Sequence, residues 1–92
     1  MATKALGMVE TRGLSGAIEA ANTMMHAHGV KFVAKEVIGG GFVTVFIEGD
    51  FDAVKNATEA GADSVRKVGE LISYHIIPNP HPQLKLILSN NL

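Results

Sequence analysis

The stretch Val37-Ile38-Gly39-Gly40-Gly41-Phe42-Val43 joins two apolar runs that both have the composition of a β-strand. In residues 30–37, Val30, Phe32 and Ala34 alternate with Lys31 and Lys35, and residues 42–47 are β-branched or aromatic. A β-hairpin is therefore predicted here. Three consecutive glycines lose more backbone entropy on folding than a two-residue turn requires. A flexible hairpin loop is the simplest interpretation from these residues alone. A phosphate-binding glycine loop is disfavoured, because a strand and not a helix follows it.

A strand and a helix precede the hairpin. The short apolar run Lys4–Glu10 predicts a strand, and Gly13 ends it. The apolar spacing then becomes helical. The helix face predicted to be buried consists of Leu14, Ala17, Ile18, Ala21 and Met25. Gly29 is placed to end this helix as its C′ residue.

A second helix and a fourth strand follow the hairpin. Asp50 is a natural N-cap for this helix. Its predicted inner face is rich in small residues and consists of Val54, Ala57, Gly61, Val65 and Val68. The run Leu71–Ile77 predicts the fourth strand, and the prolines of residues 78–82 cannot continue a sheet. Leu84 and Leu88, at i, i+4 spacing, predict a short C-terminal helix.

The predicted element order is β-α-β-β-α-β followed by the short helix, which is the ferredoxin-like order of the α+β class. Such a chain forms a four-stranded antiparallel sheet with both helices packed on one face. The other face must then be covered by the C-terminal tail, covered by a partner, or left to solvent.

Length and composition restrict the classes of function. The chain has 92 residues, which predicts a single domain over 1–92. Hydrophobic residues make up 47% of it and charged residues only 18%, so we expect apolar surface to face other subunits. A net charge of -1 offers no footprint for nucleic acid. No apolar run is long enough for a membrane span. Residues 1–4 lack the features of a signal peptide, so a cytoplasmic location is expected.

Catalytic and metal-binding patterns are not found in the sequence. The absence of cysteine excludes disulfides and thiolate sites. His26 and His28 are two apart, so they point to different sides of a helix and are interpreted as solvated residues at its C-terminus. His75 lies on a predicted strand and is expected to be packed or hydrogen-bonded. We therefore predict no catalytic residue, no metal and no cofactor.

The sequence resembles a known family at this point. Residues 5–13, Ala-Leu-Gly-Met-Val-Glu-Thr-Arg-Gly, resemble the opening strand and turn of the bacterial microcompartment (BMC) shell proteins. Further matches, in order along nearly the whole chain, are residues 49–55, 57–61, 68–70 and 75–81. The single-domain length is similar to the hexamer-forming class, which occurs in carboxysomes and in propanediol- and ethanolamine-utilisation compartments.

This resemblance implies a structural role without enzymatic activity. Six copies would form a flat disc, and discs would tile into a shell that encloses enzymes in the cytoplasm. The implied partners are the other copies of the homo-hexamer, further shell proteins and the enclosed enzymes, with no nucleic acid or membrane. The family places its central pore at Ile38, Gly39, Gly40 and Gly41. Glycine would let the backbone form the rim, whose N–H groups favour polar or anionic solutes. Many members carry a serine at the position of Gly40.

The resemblance also implies contacts at the disc edge. The positions concerned are His26, Gly29, Asn79, Pro80 and His81. Three of them depart from the family, where lysine, asparagine and arginine are usual in place of His26, Gly29 and Asn79. Asparagine cannot form the bidentate contacts of arginine. Histidine is shorter than lysine and titratable near neutral pH. We therefore expect the contact between discs to be weaker or pH-dependent.

A ferredoxin-like sensor is the alternative interpretation. Such regulators bind a small effector between subunits, and the glycine loop would then clamp the ligand. A sensor should gain thermal stability with a specific metabolite, whereas a shell tile should not.

Overall fold

The computed structural model describes residues 4–88, with all of their side chains except that of Lys85. Its elements follow the predicted order, so the predicted α+β, ferredoxin-like class is confirmed. They are β1 (Ala5–Arg12), α1 (Leu14–Met25), β2 (Val30–Ile38), β3 (Phe42–Gly49), α2 (Phe51–Val68), β4 (Glu70–Ile77), a 3-10 turn (Pro82–Leu84) and α3 (Lys85–Leu88). Residues 1–3 and 89–92 lie outside the described residues. The expectation of no signal peptide and the outer limits of the predicted domain over 1–92 fall there.

The sheet has the strand order β2-β3-β1-β4, and all neighbouring strands are antiparallel. The two central strands are therefore β3 and β1, and β2 and β4 are the edges. Arg12 at the end of β1 lies opposite Phe42 on one side and Glu70 on the other. The pairing of Ile38 with Phe42 closes the β2–β3 hairpin at the same end of the sheet. This register brings the glycine loop, the β1–α1 turn and the start of β4 together.

The main core lies between the sheet and the two helices. Its members are Ala5, Val9, Ala17, Ala20, Ala21, Met24, Val43, Val45, Ile47, Val54, Ala57 and Val65. The small face predicted for α2 packs closely against α1. A Cβ atom added at Gly61 would lie only 2.7 Å from the Cγ atom of Met24, so the two helices meet where a side chain is absent.

The predicted inner face of α1 is partly wrong. Ala17 and Ala21 are buried as predicted, but the larger Leu14, Ile18 and Met25 are 53%, 57% and 51% exposed. The face that is buried also includes Gly16, Ala20 and Met24. Small side chains let α1 approach both the sheet and α2. Of its bulky apolar side chains, Met24 is buried against Gly61, and Leu14, Ile18 and Met25 are left outside. Val68 of α2 is likewise exposed and not buried as predicted.

Of the two predicted helix boundaries, the end of α1 is wrong and the start of α2 is confirmed. Gly29 does not end α1, since the helix ends at Met25 with His26 as its C-cap. Gly29 has a φ of 80° and lies in the turn before β2. Asp50 is the N-cap of α2 as predicted, but its side chain makes no capping hydrogen bond. Its carbonyl oxygen accepts from the N–H of Val54 at 2.9 Å.

The C-terminal tail packs on the second face of the sheet. Leu88 is buried in a small cluster with Leu6, Ala34 and Phe46, and Leu84 packs against its border. Of the three possibilities for this face, cover by the tail is therefore found at the end of the sheet where β1 begins. This cover stops short of the glycine loop.

Candidate functional site

The glycine loop turns directly from β2 into β3. Gly40 and Gly41 have φ angles of 79° and 86°, in the left-handed region that L-residues rarely adopt. Gly39 does not have a positive φ, so its backbone does not require glycine. The hairpin predicted from the sequence is confirmed. The four predicted pore-lining residues, Ile38 to Gly41, are all exposed.

The loop has open space around it within the single chain. A Cβ atom added at Gly39 or Gly41 would meet nothing within 4 Å. At Gly40 it would lie 3.5 Å from two carbon atoms of the Phe42 ring, which is an ordinary contact. A Cβ at position 39 would therefore fit the single chain without backbone strain or overlap.

The loop is tied to the β1–α1 turn by a hydrogen bond and flanked by a charged stack. The N–H of Gly13 donates to the carbonyl oxygen of Gly41 at 2.6 Å. The guanidinium of Arg12 lies 4.6 Å from the centroid of the Phe42 ring, and its Nε is 3.1 Å from a carboxylate oxygen of Glu70. The sequence analysis missed these partners. Only the strand register, which places Arg12 opposite both Phe42 and Glu70, could have indicated them.

Apolar side chains are exposed on both edge strands and on α1. Val37 and Ile38, beside the loop on β2, are 66% and 54% exposed. Others that are exposed in the single chain are Leu14, Ile18 and Met25 of α1, Phe32 of β2, and Ile72 and Tyr74 of β4. Exposed apolar surface of this extent is typical of chains that bind other subunits.

The predicted edge residues lie at the other end of the sheet from the glycine loop. His26 and Gly29 precede the start of β2, and Asn79, Pro80 and His81 follow the end of β4. These two groups flank opposite edges of the sheet, so within one chain they do not form a single site.

The two histidines among these edge residues have defined local partners. The Nδ1 atom of His26 lies 2.7 Å from the carbonyl oxygen of Asn22. A carbonyl oxygen only accepts, so Nδ1 donates and the Nε2 of the neutral ring is an acceptor. The N–H of Gln83 donates to Nδ1 of His81 at 3.1 Å. Both rings are exposed at the surface.

No arrangement that could hold a metal is found among the described residues. Within 4–88, no group of three or more His, Asp or Glu side chains is placed to bind an ion. None of the described helices is both long and apolar enough to cross a membrane. The sequence predicts that His75 is packed or hydrogen-bonded. It is exposed on β4, opposite Met8 of β1, so the prediction of packing within the single chain is wrong.

The structure thus defines an α+β, ferredoxin-like domain with a bare glycine loop at one end and exposed apolar edges. Residues 5–80 match the model of the BMC domain family. The chain therefore belongs to the BMC domain family, whose members in these comparisons are structural shell proteins of bacterial microcompartments, and the resemblance seen in the sequence is confirmed.

Several relatives are similar over most of their length. The chain is 50% identical to the microcompartment shell protein PduA of Citrobacter freundii over 92 residues, which cover 100% of this chain and 99% of that one. It is 50% identical to the shell protein EutM of Salmonella typhimurium over 82 residues, 89% of this chain and 85% of EutM. It is 49% identical to the carboxysome shell protein CsoS1A of Hydrogenovibrio crunogenus over 86 residues, 92% and 90% of the two chains.

A solved structure supports the fold. The crystal structure of a microcompartment protein from Desulfitobacterium hafniense matches with a TM-score of 0.83 and 33% identity. The match covers 94% of this chain and 49% of that one, so this chain spans about half the length of that protein.

Proposed function

We propose that this chain is a non-enzymatic tile of a bacterial microcompartment shell in the cytoplasm, formed by a single domain over 1–92. Six copies form a disc in which the loops Ile38 to Gly41 surround a central pore for small polar metabolites. The disc retains enzymes and larger intermediates. Its partners are other copies of itself, other shell proteins and the enclosed enzymes. The family supports this proposal, since the similar PduA, EutM and CsoS1A chains are shell proteins.

The observation that supports a pore at this loop is the presence of glycine at position 39. Neither its backbone conformation nor the space around it requires glycine within the single chain. Convergence of several copies of the loop supplies a reason, because a side chain at position 39 would then meet its own equivalents. A rim of bare backbone also presents N–H groups to a passing solute, which favours polar and anionic molecules.

The positions of the edge residues support the same arrangement. A residue near the centre of a disc and a residue at its periphery must lie at opposite ends of the subunit. The loop lies at one end of the sheet, and His26, Gly29, Asn79, Pro80 and His81 lie at the other. We propose that these five residues contact the neighbouring disc. Contacts within a disc bury part of the exposed apolar surface on β2, β4 and α1.

The first experiment measures the native mass at low and moderate concentration. We expect a six-fold multiple of the 9.7 kDa chain. A stable monomer, dimer or trimer would contradict the disc and with it the pore.

The second experiment blocks the pore at Gly39. In Gly39→Leu the new Cβ meets nothing within 4 Å of its own chain and the position is exposed, so folding should be retained. The measurement is the rate of an enclosed enzyme with a small polar substrate, before and after the shell is disrupted. In shells built from this variant, the intact shell should slow the enzyme. Asn56→Leu is the matched control, because it adds the same side chain at an exposed position of α2. Equal access through both variants would refute a pore at this loop.

A further inference from the structure

We propose that Arg12 is a positioning residue that holds the glycine loop in one conformation by fixing the Phe42 ring beside Gly40. Any effect of this residue on the permeability of a pore rests on the proposed function. The positioning itself concerns contacts within one chain and is independent of the pore.

The guanidinium of Arg12 is held by groups on the two neighbouring strands. Arg12 is the last residue of β1, between Phe42 of β3 and Glu70 of β4. The side chains of Arg12 and Glu70 are 51% and 59% exposed, and an ion pair of that exposure contributes little to stability by itself. Its effect is one of orientation. The carboxylate, 3.1 Å from Nε, keeps the guanidinium at the face of the ring, 4.6 Å from the centroid.

The Phe42 ring in turn lies against the glycine loop. The Cδ2 and Cε2 atoms of Phe42 lie 3.5 Å from the site that a Cβ of Gly40 would occupy. The ring therefore lies beside the loop residue whose φ is 79°. A ring held from one side by Arg12 limits how far Gly40 can move.

A backbone hydrogen bond next to Arg12 also holds the loop. The N–H of Gly13 donates to the carbonyl oxygen of Gly41 at 2.6 Å. Arg12 and Gly13 are consecutive, so one short segment contacts the loop twice, through a side chain and through an amide. Loss of the Arg12 stack should loosen the second contact as well, because both depend on the position of the β1–α1 turn relative to β3.

The chain contains a matched control for this arginine. Arg66 also pairs with a carboxylate, that of Asp63, and its guanidinium lies 5.9 Å from the centroid of the Tyr74 ring. Tyr74 lies opposite Val9 in the middle of β1, away from the glycine loop. Arg66→Ala therefore removes the same groups as Arg12→Ala without touching the loop.

The test is hydrogen exchange with residue-level mass spectrometry on the intact assembled protein. The Gly13 amide reports the contact with Gly41. The Ala27 amide, which donates to Met24 at 3.1 Å in a distant turn, reports general opening. In Arg12→Ala, exchange at Gly13 should rise roughly 2- to 5-fold, the size expected for an exposed cation–π contact. Arg12→Lys should give a smaller rise, since lysine keeps the charge but stacks less well. Arg66→Ala should leave Gly13 unchanged.

Several results would overturn the inference. Unchanged exchange at Gly13 in Arg12→Ala would do so, as would an equal rise at Gly13 and Ala27. If Arg12→Ala does not fold, Glu70→Gln carries the test, because it removes the carboxylate that keeps the guanidinium at the ring and leaves the Arg12 side chain in place. Its Gly13 exchange should rise, and no change would refute the positioning role. The Gly39→Leu shells test the pore separately, so failure of the pore would leave the exchange result intact.

Discussion

Replacing Gly39 and Gly40 separately by alanine should have opposite effects on stability. At Gly40 the φ of 79° places an L-residue in the left-handed region, at a cost of about 1–2 kcal/mol. The lower entropy of the unfolded chain offsets about 0.4–1 kcal/mol of this cost. The added Cβ makes only an ordinary 3.5 Å contact with the Phe42 ring, so overlap adds nothing. Gly40→Ala should therefore lose about 1 kcal/mol of unfolding free energy.

At Gly39 the same reasoning predicts a gain. Within one subunit, neither a positive φ nor a neighbouring atom opposes the methyl group, so in the separated subunit only the unfolded-state effect remains. Gly39→Ala should gain about 0.4–1 kcal/mol. The two neighbouring variants should thus differ by roughly 1–2 kcal/mol, the sum of the Gly40 loss and the Gly39 gain.

The assay is urea unfolding of both variants and the wild type at one chain concentration at which the subunits are separate, because assembly makes apparent stability depend on concentration. Thermal midpoints should follow, with about 4–8 °C for each 1 kcal/mol in a domain of this size. Gly41→Ala is the internal control. Its φ is 86° and its surroundings are open, so it should lose stability as Gly40→Ala does. Equal stability of the Gly39 and Gly40 variants would show that the positive φ does not dictate glycine at position 40.

Three further predictions concern the core and the disc edge. Gly7→Ala should lower the free energy of unfolding by about 1–3 kcal/mol, because its Cβ would overlap the Thr58 hydroxyl and lie 2.8 Å from a methyl of Val54. An unchanged urea midpoint would contradict the packing described. Thr58→Val should stabilise by about 1 kcal/mol, since this hydroxyl is buried without a hydrogen-bond partner in the part of the chain that the structure describes; a loss of stability would imply a partner. Asn79→Arg introduces the residue usual in the family, and electron microscopy of this variant should show larger sheets than the wild type forms. The native mass of the disc should not change. Sheets of the same size would show that Asn79 is not part of the edge contact.

The strands and their order could be predicted because each is marked locally. The run Phe42–Ile47 is β-branched and aromatic, and a glycine or aspartate lies just before each change of period. The face of α1 could not be predicted in the same way. Leu14 and Ile18 satisfy helical spacing as well as the alanines do, so periodicity alone does not decide which apolar face is buried. The close approach of α1 to α2 at Gly61 decides it, and that contact is distant in sequence.

The candidate site was predictable only in part for a related reason. Three glycines in a row are visible in the sequence, and they mark the loop. The contacts of Arg12 with Phe42 and Glu70 depend on strand register across three strands, which single-sequence patterns do not report. The proposed edge residues, such as His26 and Asn79, would acquire a role only through other copies of the chain. Their residue types therefore carry little signal without the family resemblance.

The burial of Leu88 beside Leu6 also bears on how the chain can be re-engineered. Leu6 is near the start of β1 and Leu88 ends α3, so the first strand and the last helix share one small cluster. Segments that lie so close can be joined by a short linker, and new ends can be opened at an exposed turn elsewhere. A circular permutant opened at the exposed Gly69, between α2 and β4, would keep every strand pairing of the sheet and avoid the proposed edge residues, while moving the site for genetic fusion of cargo. Removing the tail instead would uncover Phe46 and Ala34, so a cargo protein should follow Leu88 and not replace it.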